Sequence, residues 1–252
     1  MGKQIWKPGN MLYPLPVVMV SMADQKGNYN IITIAWTGTI CTNPPQVSIS
    51  VRPERYSYNI LKETGEFVIN LPSRELTYAT DYCGVKSGRD VDKFKELNLT
   101  PLKAQQVSAP LIGECPVSIE CKVKNVIPLG SHDLFVAEVV AVHADERYMD
   151  EKGKFRLELA DPIVYLHGDY FTCGEKVGSF GYSVRKKNSG AGQSKAGQPK
   201  TGQPKAGQPK TAQPKAGQPK TGKQTGKIKK VSPDVKSENK KNRKRKTKNE
   251  KV

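Results

Sequence analysis

Apolar positions come in short runs separated by turn residues, some of them alternating with polar positions at a period of two. Residues 16–23 carry Val17, Val18 and Val20, and residues 29–36 form a second β-rich run. Asp24, Gly27 and Asn28 between them supply turn chemistry, so the two runs read as a hairpin. Gln46–Val51 alternates Val47, Ile49 and Val51 with Ser48 and Ser50, the mark of a half-buried strand with hydroxyls on one face. Residues 55–63 have helical spacing, with Gly65 as the stop, and Glu66–Leu71 is a strand closed by Pro72. Residues 74–83 predict a helix ending at Gly84, and residues 92–97 a shorter one. Pro101 and Pro110 bracket an irregular stretch. Two long runs at 117–127 and 134–144 flank a turn at 128–133, and 162–166 is a last strand. Seven strands, two or three short helices and no βαβ rhythm predict a mainly β fold, an antiparallel barrel.

The pattern stops at Arg185. Residues 186–252 contain no Phe, Trp, Tyr, Leu or Met, and Ile228, Val231, Val235 and Val252 are their only branched aliphatics. Such a segment cannot bury enough apolar surface to offset its ordering entropy, so a disordered tail at 186–252 is expected beside one domain at 1–185. Charge divides at the same point. Residues 1–185 hold 20 Lys and Arg against 21 acidic residues; residues 186–252 hold 21 against 3. The high isoelectric point therefore describes the tail alone. Five copies of a Gly-Gln-Pro-Lys-like pentad fill residues 196–220, a flexible and self-repelling sequence rather than a stacking repeat.

Other classes fall away. No run of about 18 apolar residues is present to span a bilayer, and the N-terminus lacks an apolar signal core. Five widely spaced cysteines without Cys-x-x-Cys argue against a disulfide framework or zinc ribbon and fit a cytoplasmic setting. No Gly-x-Gly-x-x-Gly follows a strand, so a nicotinamide would not be held by a Rossmann domain.

Chemistry concentrates between residues 30 and 58. Two strands, several hydroxyls and two arginines just past the second strand suit a planar, anionic cofactor. A phosphate monoester is held by a guanidinium fork, with hydroxyls or a helix N-terminus completing the cage. Ser50, Arg52, Ser57 and Tyr58 are the candidates for a phosphate and its sugar chain. An ordinary solvated or ion-paired role for Arg52 and Arg55 is the alternative.

The stretches Pro14–Ser21, 30–36, 44–50 and 52–57, with Asp92-Lys93-Phe94 and Gly130-Ser131-His132-Asp133, together resemble the flavin reductase-like family. That family includes flavoredoxins and NAD(P)H:FMN oxidoreductases, and the resemblance covers nearly all of residues 5–183. It implies an FMN-binding split β-barrel of antiparallel Greek-key form and a homodimer with one FMN per barrel. It further implies that Thr33, Ile34, Ala35 and Trp36 lay their backbone along the flavin ring. The side chains of Ile32, Ile34 and Trp36 would then be core. It places His132 over the flavin, where it positions nicotinamide or substrate and delivers a proton; the alternative is an ordinary exposed histidine on a hairpin tip. Cys41 is a candidate ring contact or a small buried hydrophobe, and with His132 a candidate contact for ferric iron. Lys93 lies near the cofactor phosphate or the dimer seam, or is a surface charge.

The resemblance implies an oxidoreductase taking electrons from NAD(P)H through FMN to a flavin, ferric or protein acceptor. A flavoredoxin-type carrier without NAD(P)H turnover fits the same residues. The tail raises a separate reading, sequence-blind contact with a polyanion, because it carries cations without aromatics. Its reach is roughly 45 Å root-mean-square, enough to tether the domain near an acidic acceptor; the alternative is a solubilising extension. Deleting residues 186–252 separates them. Tethering predicts a salt-sensitive polyanion affinity that the truncated protein loses; unchanged flavin content, turnover and polyanion binding would end it.

Overall fold

The computed structural model describes residues 2–185; the expectations for the tail at 186–252 lie outside the described residues. The chain runs β1 (Leu15–Pro16), β2 (Val18–Ala23), β3 (Tyr29–Ile34), β4 (Thr37–Cys41) and β5 (Gln46–Val51), then helix α1 (Tyr56–Thr64) and β6 (Glu66–Leu71). Helices α2 (Thr77–Val85) and α3 (Lys93–Glu96) follow, with short strands β7 (Pro101–Leu102) and β8 (Leu111–Ile112). The long β9 (Val117–Pro128) and β10 (Asp133–Ala144) come next, and β11 (Ile163–Leu166) and β12 (Asp169–Thr172) close the fold. No helix among the described residues is long and apolar enough to cross a membrane.

Seven antiparallel strands form the main sheet in the order β3-β2-β6-β9-β10-β5-β4. The predicted number is seven, but the membership differs. β4 belongs to the main sheet and was not foreseen, because Thr37-Gly38-Thr39 has weak apolar alternation. β11 pairs instead with β1 and β12 in a separate three-stranded sheet. The two end strands, β3 and β4, are joined only by Ala35 and Trp36, so the main sheet curls until its ends approach, and the Ser50 N–H donates to the Trp36 carbonyl at 2.9 Å, adding one rung to the β4–β5 ladder.

Side-chain alternation sorts the core. Val18, Val20 and Met22 of β2, Ile32 and Ile34 of β3, Val47, Ile49 and Val51 of β5 and Phe67 and Ile69 of β6 all point inward. Tyr58, Ile60 and Leu61 of α1 close one end of this core. The other face of β2 and β3 is also covered: Met19 and Ile31 pack on Ala79, Cys83, Phe94 and Ile112. Burial on both faces explains why β2 and β3 read as continuous apolar runs while β5 alternates.

Helix α1 ends where expected. Gly65 adopts φ +65 and its N–H bonds the Leu61 carbonyl at 3.0 Å. Gly84 corrects the expectation for α2, since the helix passes through it to Val85. Its role is close approach: a Cβ there would lie 3.3 Å from the Cβ of Thr33. A single-turn 3-10 helix at Arg74–Leu76 precedes α2.

Two buried polar side chains hold the covering segment on the sheet, Glu120 gripping the irregular stretch between Pro101 and Pro110 and Asn70 gripping β8 just beyond it. Asn70 donates to the Met19 carbonyl at 3.0 Å and to Ser21 Oγ at 2.9 Å, and its Oδ1 accepts from the Ile112 N–H and Ser118 Oγ. Glu120 accepts the backbone N–H groups of Gln105 and Gln106 and faces His143 Nε2 at 2.5 Å. Burial pushes the Glu120 carboxyl up, but these bonds outweigh it and hold it below the usual range. Replacing Asn70 by Leu strands the Ile112 donor and the Ser118 hydroxyl. The expected loss is about 2–4 kcal/mol of unfolding free energy, read by urea denaturation.

Candidate functional site

β3 is an end strand of the main sheet, so one side of its backbone is unpaired. The Ile31 carbonyl marks that side, because it accepts Lys93 Nζ at 2.6 Å from outside the sheet. Backbone groups two residues apart in a strand point the same way, so Thr33 turns its N–H and carbonyl to the same open side. The chain then bends at Ala35 and Trp36 before entering β4.

A cleft of about 490 Å³ lies along this edge. Thr33, Ile34, Ala35 and Trp36 form one wall, with Ser50, Arg52 and His132 beside them. Asp81, Gly84 and Val85 of α2 and Tyr165 and Tyr170 of the β11–β12 hairpin complete it. His132 sits on the β9–β10 turn, its ring 6° from parallel with Trp36 and 6.2 Å away between centroids. Burial and the Arg52 charge push its pKa below the ordinary histidine value, which favours the neutral imidazole. Ser131 Oγ lies 2.9 Å from its Nδ1. Tyr170 donates to Asp81 Oδ1 at 3.1 Å; burial first, then this contact, pushes its phenol up to about 12.

A second pocket opens from the first. Ile32, Glu54 and Arg55 line both. Tyr56 and Ser57, at the start of α1, form its floor, and Lys86, Ser87, Gly88, Arg89 and Lys93 its sides. Helix α1 has no side-chain cap at its N-terminus, which leaves its first N–H groups for a ligand or water. Four cations and an uncapped helix start make this pocket suited to an anion.

Two of these cations are tied to the C-terminal end of α2. Arg55 Nη2 donates to the Gly84 carbonyl at 2.6 Å, and Lys93 Nζ to the Cys83 carbonyl at 2.9 Å. They satisfy carbonyls that the helix leaves open and sit favourably on its dipole. Lys93 is 3 % exposed, so the surface-charge reading is wrong. Burial pulls its pKa down to about 8, and the nearby Arg55 charge acts in the same direction.

The structure gathers most of the expected residues but not all. Ser57 is buried and its Oγ accepts from Asn30 Nδ2 at 2.8 Å, so its hydroxyl holds β3 to α1 while its backbone faces the pocket. Tyr58 turns inward and donates to Asp133 Oδ2 at 2.5 Å, against the edge of Phe135. It lines neither cleft. Cys41 lies at the far end of β4 and also lines neither, so it does not join His132. Trp36 is 40 % exposed rather than core, whereas Ile32 and Ile34 are core. The sequence reading missed Lys86, Ser87, Gly88 and Arg89. The Lys-Ser-Gly-Arg run was the available signal, a Gly and Ser turn flanked by cations. A Cβ on Gly88 would meet Asn30 Oδ1 at 2.2 Å, so only glycine lets the loop close on β3.

Residues 10–174 match the flavin reductase-like domain family. Flavoredoxin of Desulfovibrio vulgaris (Miyazaki F) is 32% identical with a TM-score of 0.69, covering 73% of this chain and all of that one. Flavoredoxin from Methanosarcina acetivorans is 28% identical with a TM-score of 0.65, at the same coverages. An uncharacterised protein of Archaeoglobus fulgidus is 31% identical over 141 residues, 56% of this chain and 78% of that one.

The buried Lys93 has a readable signature. Between pH 8 and 10.5 the unfolded chain binds more protons at this lysine than the folded one, so its contribution makes stability rise with pH. The whole effect is up to about 3 kcal/mol. Comparing wild type with Lys93→Met between pH 8 and 9 cancels the cysteine titration that both share, and the stability of wild type should rise relative to that of the variant. Equal slopes in denaturant midpoints would refute a charged, desolvated Lys93.

Proposed function

The chain belongs to the flavin reductase-like family, and we propose that it binds FMN in the paired clefts and passes electrons from NAD(P)H to a flavin, ferric or protein acceptor. Flavin-related oxidoreductase function follows from the family; the electron donor and acceptor are part of the proposal. The observation that carries it is the continuity of a flat cleft on an unpaired strand edge with a cationic pocket at an uncapped helix start. A planar ring and a phosphate on a short chain need those two environments in that order.

The residues fit such a group. The Thr33 N–H and the bend at Ala35 and Trp36 present backbone donors to the rim of a ring. Arg55, Lys86 and Arg89 neutralise a phosphate, with the first N–H groups of α1 and the Ser87 hydroxyl as further donors. When bound, a flavin supplies hydride acceptance and one- or two-electron delivery, chemistry that belongs to the cofactor. Trp36 and His132 shield one side of the cleft. In its neutral form His132 carries one proton on a ring nitrogen and accepts at the other, which suits proton exchange with a substrate near neutral pH. Tyr165 and Tyr170 bound the opposite wall and limit a second ligand to something flat.

The homodimer belongs to the same proposal; exposed apolar side chains at Leu12, Ile40 and Leu129 are what such an interface would cover. So do the cytoplasmic setting, which the five free cysteines suit, and the division into a flavin-binding unit at 1–185 and an appended tail. A flavoredoxin-type carrier is the second reading, favoured by the 32% identity to a flavoredoxin over that protein's full length.

Anaerobic spectroscopy tests the assignment. The purified protein should show flavin absorbance that bleaches on adding NADH or NADPH. Bleaching by dithionite alone would favour the carrier. Absence of bands together with no FMN binding on titration would sink both. In the same titration, Lys86→Ala with Arg89→Ala should weaken FMN about tenfold or more and leave riboflavin, which lacks the phosphate, within about twofold.

A further inference from the structure

Arg52 is left over once the cofactor is fitted. It lines the ring cleft beside His132 and Trp36, whereas the cations of the phosphate pocket are Arg55, Lys86, Arg89 and Lys93. Among the described residues its guanidinium meets only Glu54, with Nη1 3.3 Å from Oε1, and both side chains are more than half exposed. The other charges of the cleft are committed, Arg55 to the Gly84 carbonyl and Asp81 to the Tyr170 hydroxyl. We propose that Arg52 receives the oxyanion of a flat second ligand, so that the site selects anionic acceptors over neutral ones of the same shape. The inference rests on the flavin reading above and names the class of acceptor within it.

A guanidinium carries its N–H donors in a planar fork, and one long contact to Glu54 leaves most of that fork open. An ion pair this exposed holds its partners weakly, so an arriving oxyanion can displace the Glu54 carboxylate. The flat body has its place too, between the near-parallel Trp36 and His132 rings and the wall of Tyr165 and Tyr170. His132 senses the event. The charged groups that face it are Arg52 and Glu54, and its uncharged neighbours are Trp36 and Ser131. Burial lowers its proton affinity, the Arg52 charge lowers it further, and Glu54 raises it. An oxyanion seated on Arg52 offsets that charge, so binding makes His132 the better base. By linkage, protonated His132 favours the anion, and anion affinity falls as pH rises through the His132 pKa.

Titration of the FMN-loaded full chain with naphthoate and with naphthamide, a flat pair that differs in charge, decides this through the perturbed flavin absorbance. Wild type should bind the carboxylate about tenfold more tightly than the amide. Arg52→Gln should remove that preference while the amide stays within about twofold, and Glu54→Gln should enlarge it. The wild-type preference should shrink between about pH 6 and pH 8. In NMR titrations the His132 pKa should rise in Arg52→Gln, fall in Glu54→Gln, and rise in wild type when naphthoate is added. Amide binding in the same samples reports whether each variant keeps its cleft. Equal binding of the two ligands by wild type, binding of neither, or a preference that survives Arg52→Gln would overturn the inference and leave the FMN reading intact. Protein that takes up no FMN would remove the reading on which it rests.

Discussion

The unpaired edge of β3 is the constraint from which the rest of the site follows. A sheet that curls without closing leaves a strand with open N–H and carbonyl groups, which invites pairing with another chain. This fold covers the edge in pieces. Lys93 takes the Ile31 carbonyl at one end, and at the other the chain turns away at Ala35 and Trp36 into β4, whose ladder with β5 begins at the Trp36 carbonyl and the Ser50 N–H. Between them the Thr33 backbone faces a cleft instead of a strand. The gap that keeps the barrel split is thus the place where a ring with polar edges can complete the ladder.

That arrangement needs β3 held rigidly from both faces. Ile32 and Ile34 anchor it in the inner core, and Ile31 packs under α2 and α3. Thr33 donates to the Thr80 carbonyl, and Gly84 lets the helix come within van der Waals reach of it. Asn30 joins β3 to α1 through Ser57. The outer covering depends in turn on Asn70 and Glu120, which fasten a segment with little regular structure to the sheet. Buried polar groups this fully satisfied fix one arrangement of the loops they hold. An apolar core alone would leave that loop with nothing to specify its position.

Much of this was legible in the sequence. Apolar runs bounded by turn residues located β2, β3, β5, β6, β9 and β10, and Gly65 stopped α1 as its left-handed conformation requires. Thr33 to Trp36, Ser50, Arg52 and His132 do share one cleft. What was not legible depended on the third dimension. β4 has too few apolar residues to show a period and exists because β5 offers it an edge. Tyr58 carries an aromatic ring and a hydroxyl, and nothing local says that the hydroxyl points to Asp133 inside the barrel. Gly84 looked like a helix stop because a local reading cannot see Thr33 packed against it. The Lys86 to Arg89 loop becomes chemistry only when Asn30 and Tyr56 come up beneath it.

The position of Lys93 ties binding to protonation. Residues 1–185 have nearly balanced charge, yet Arg55, Lys86, Arg89 and Lys93 converge on one pocket. Of the four, Lys93 is buried against carbonyls without a carboxylate partner, and burial has brought its pKa to about 8. An anion in the adjoining pocket favours the charged ammonium and raises that pKa, so binding takes up part of a proton near pH 8. The same linkage runs in reverse: as pH rises through 8 the lysine discharges, and attraction for the anion weakens. Its neutral amine still has two N–H donors for the Ile31 and Cys83 carbonyls, so β3 stays anchored while the pocket loses charge. The residue that closes one end of the open strand therefore also sets the charge beside it, with a proton that its contacts to the strand do not need.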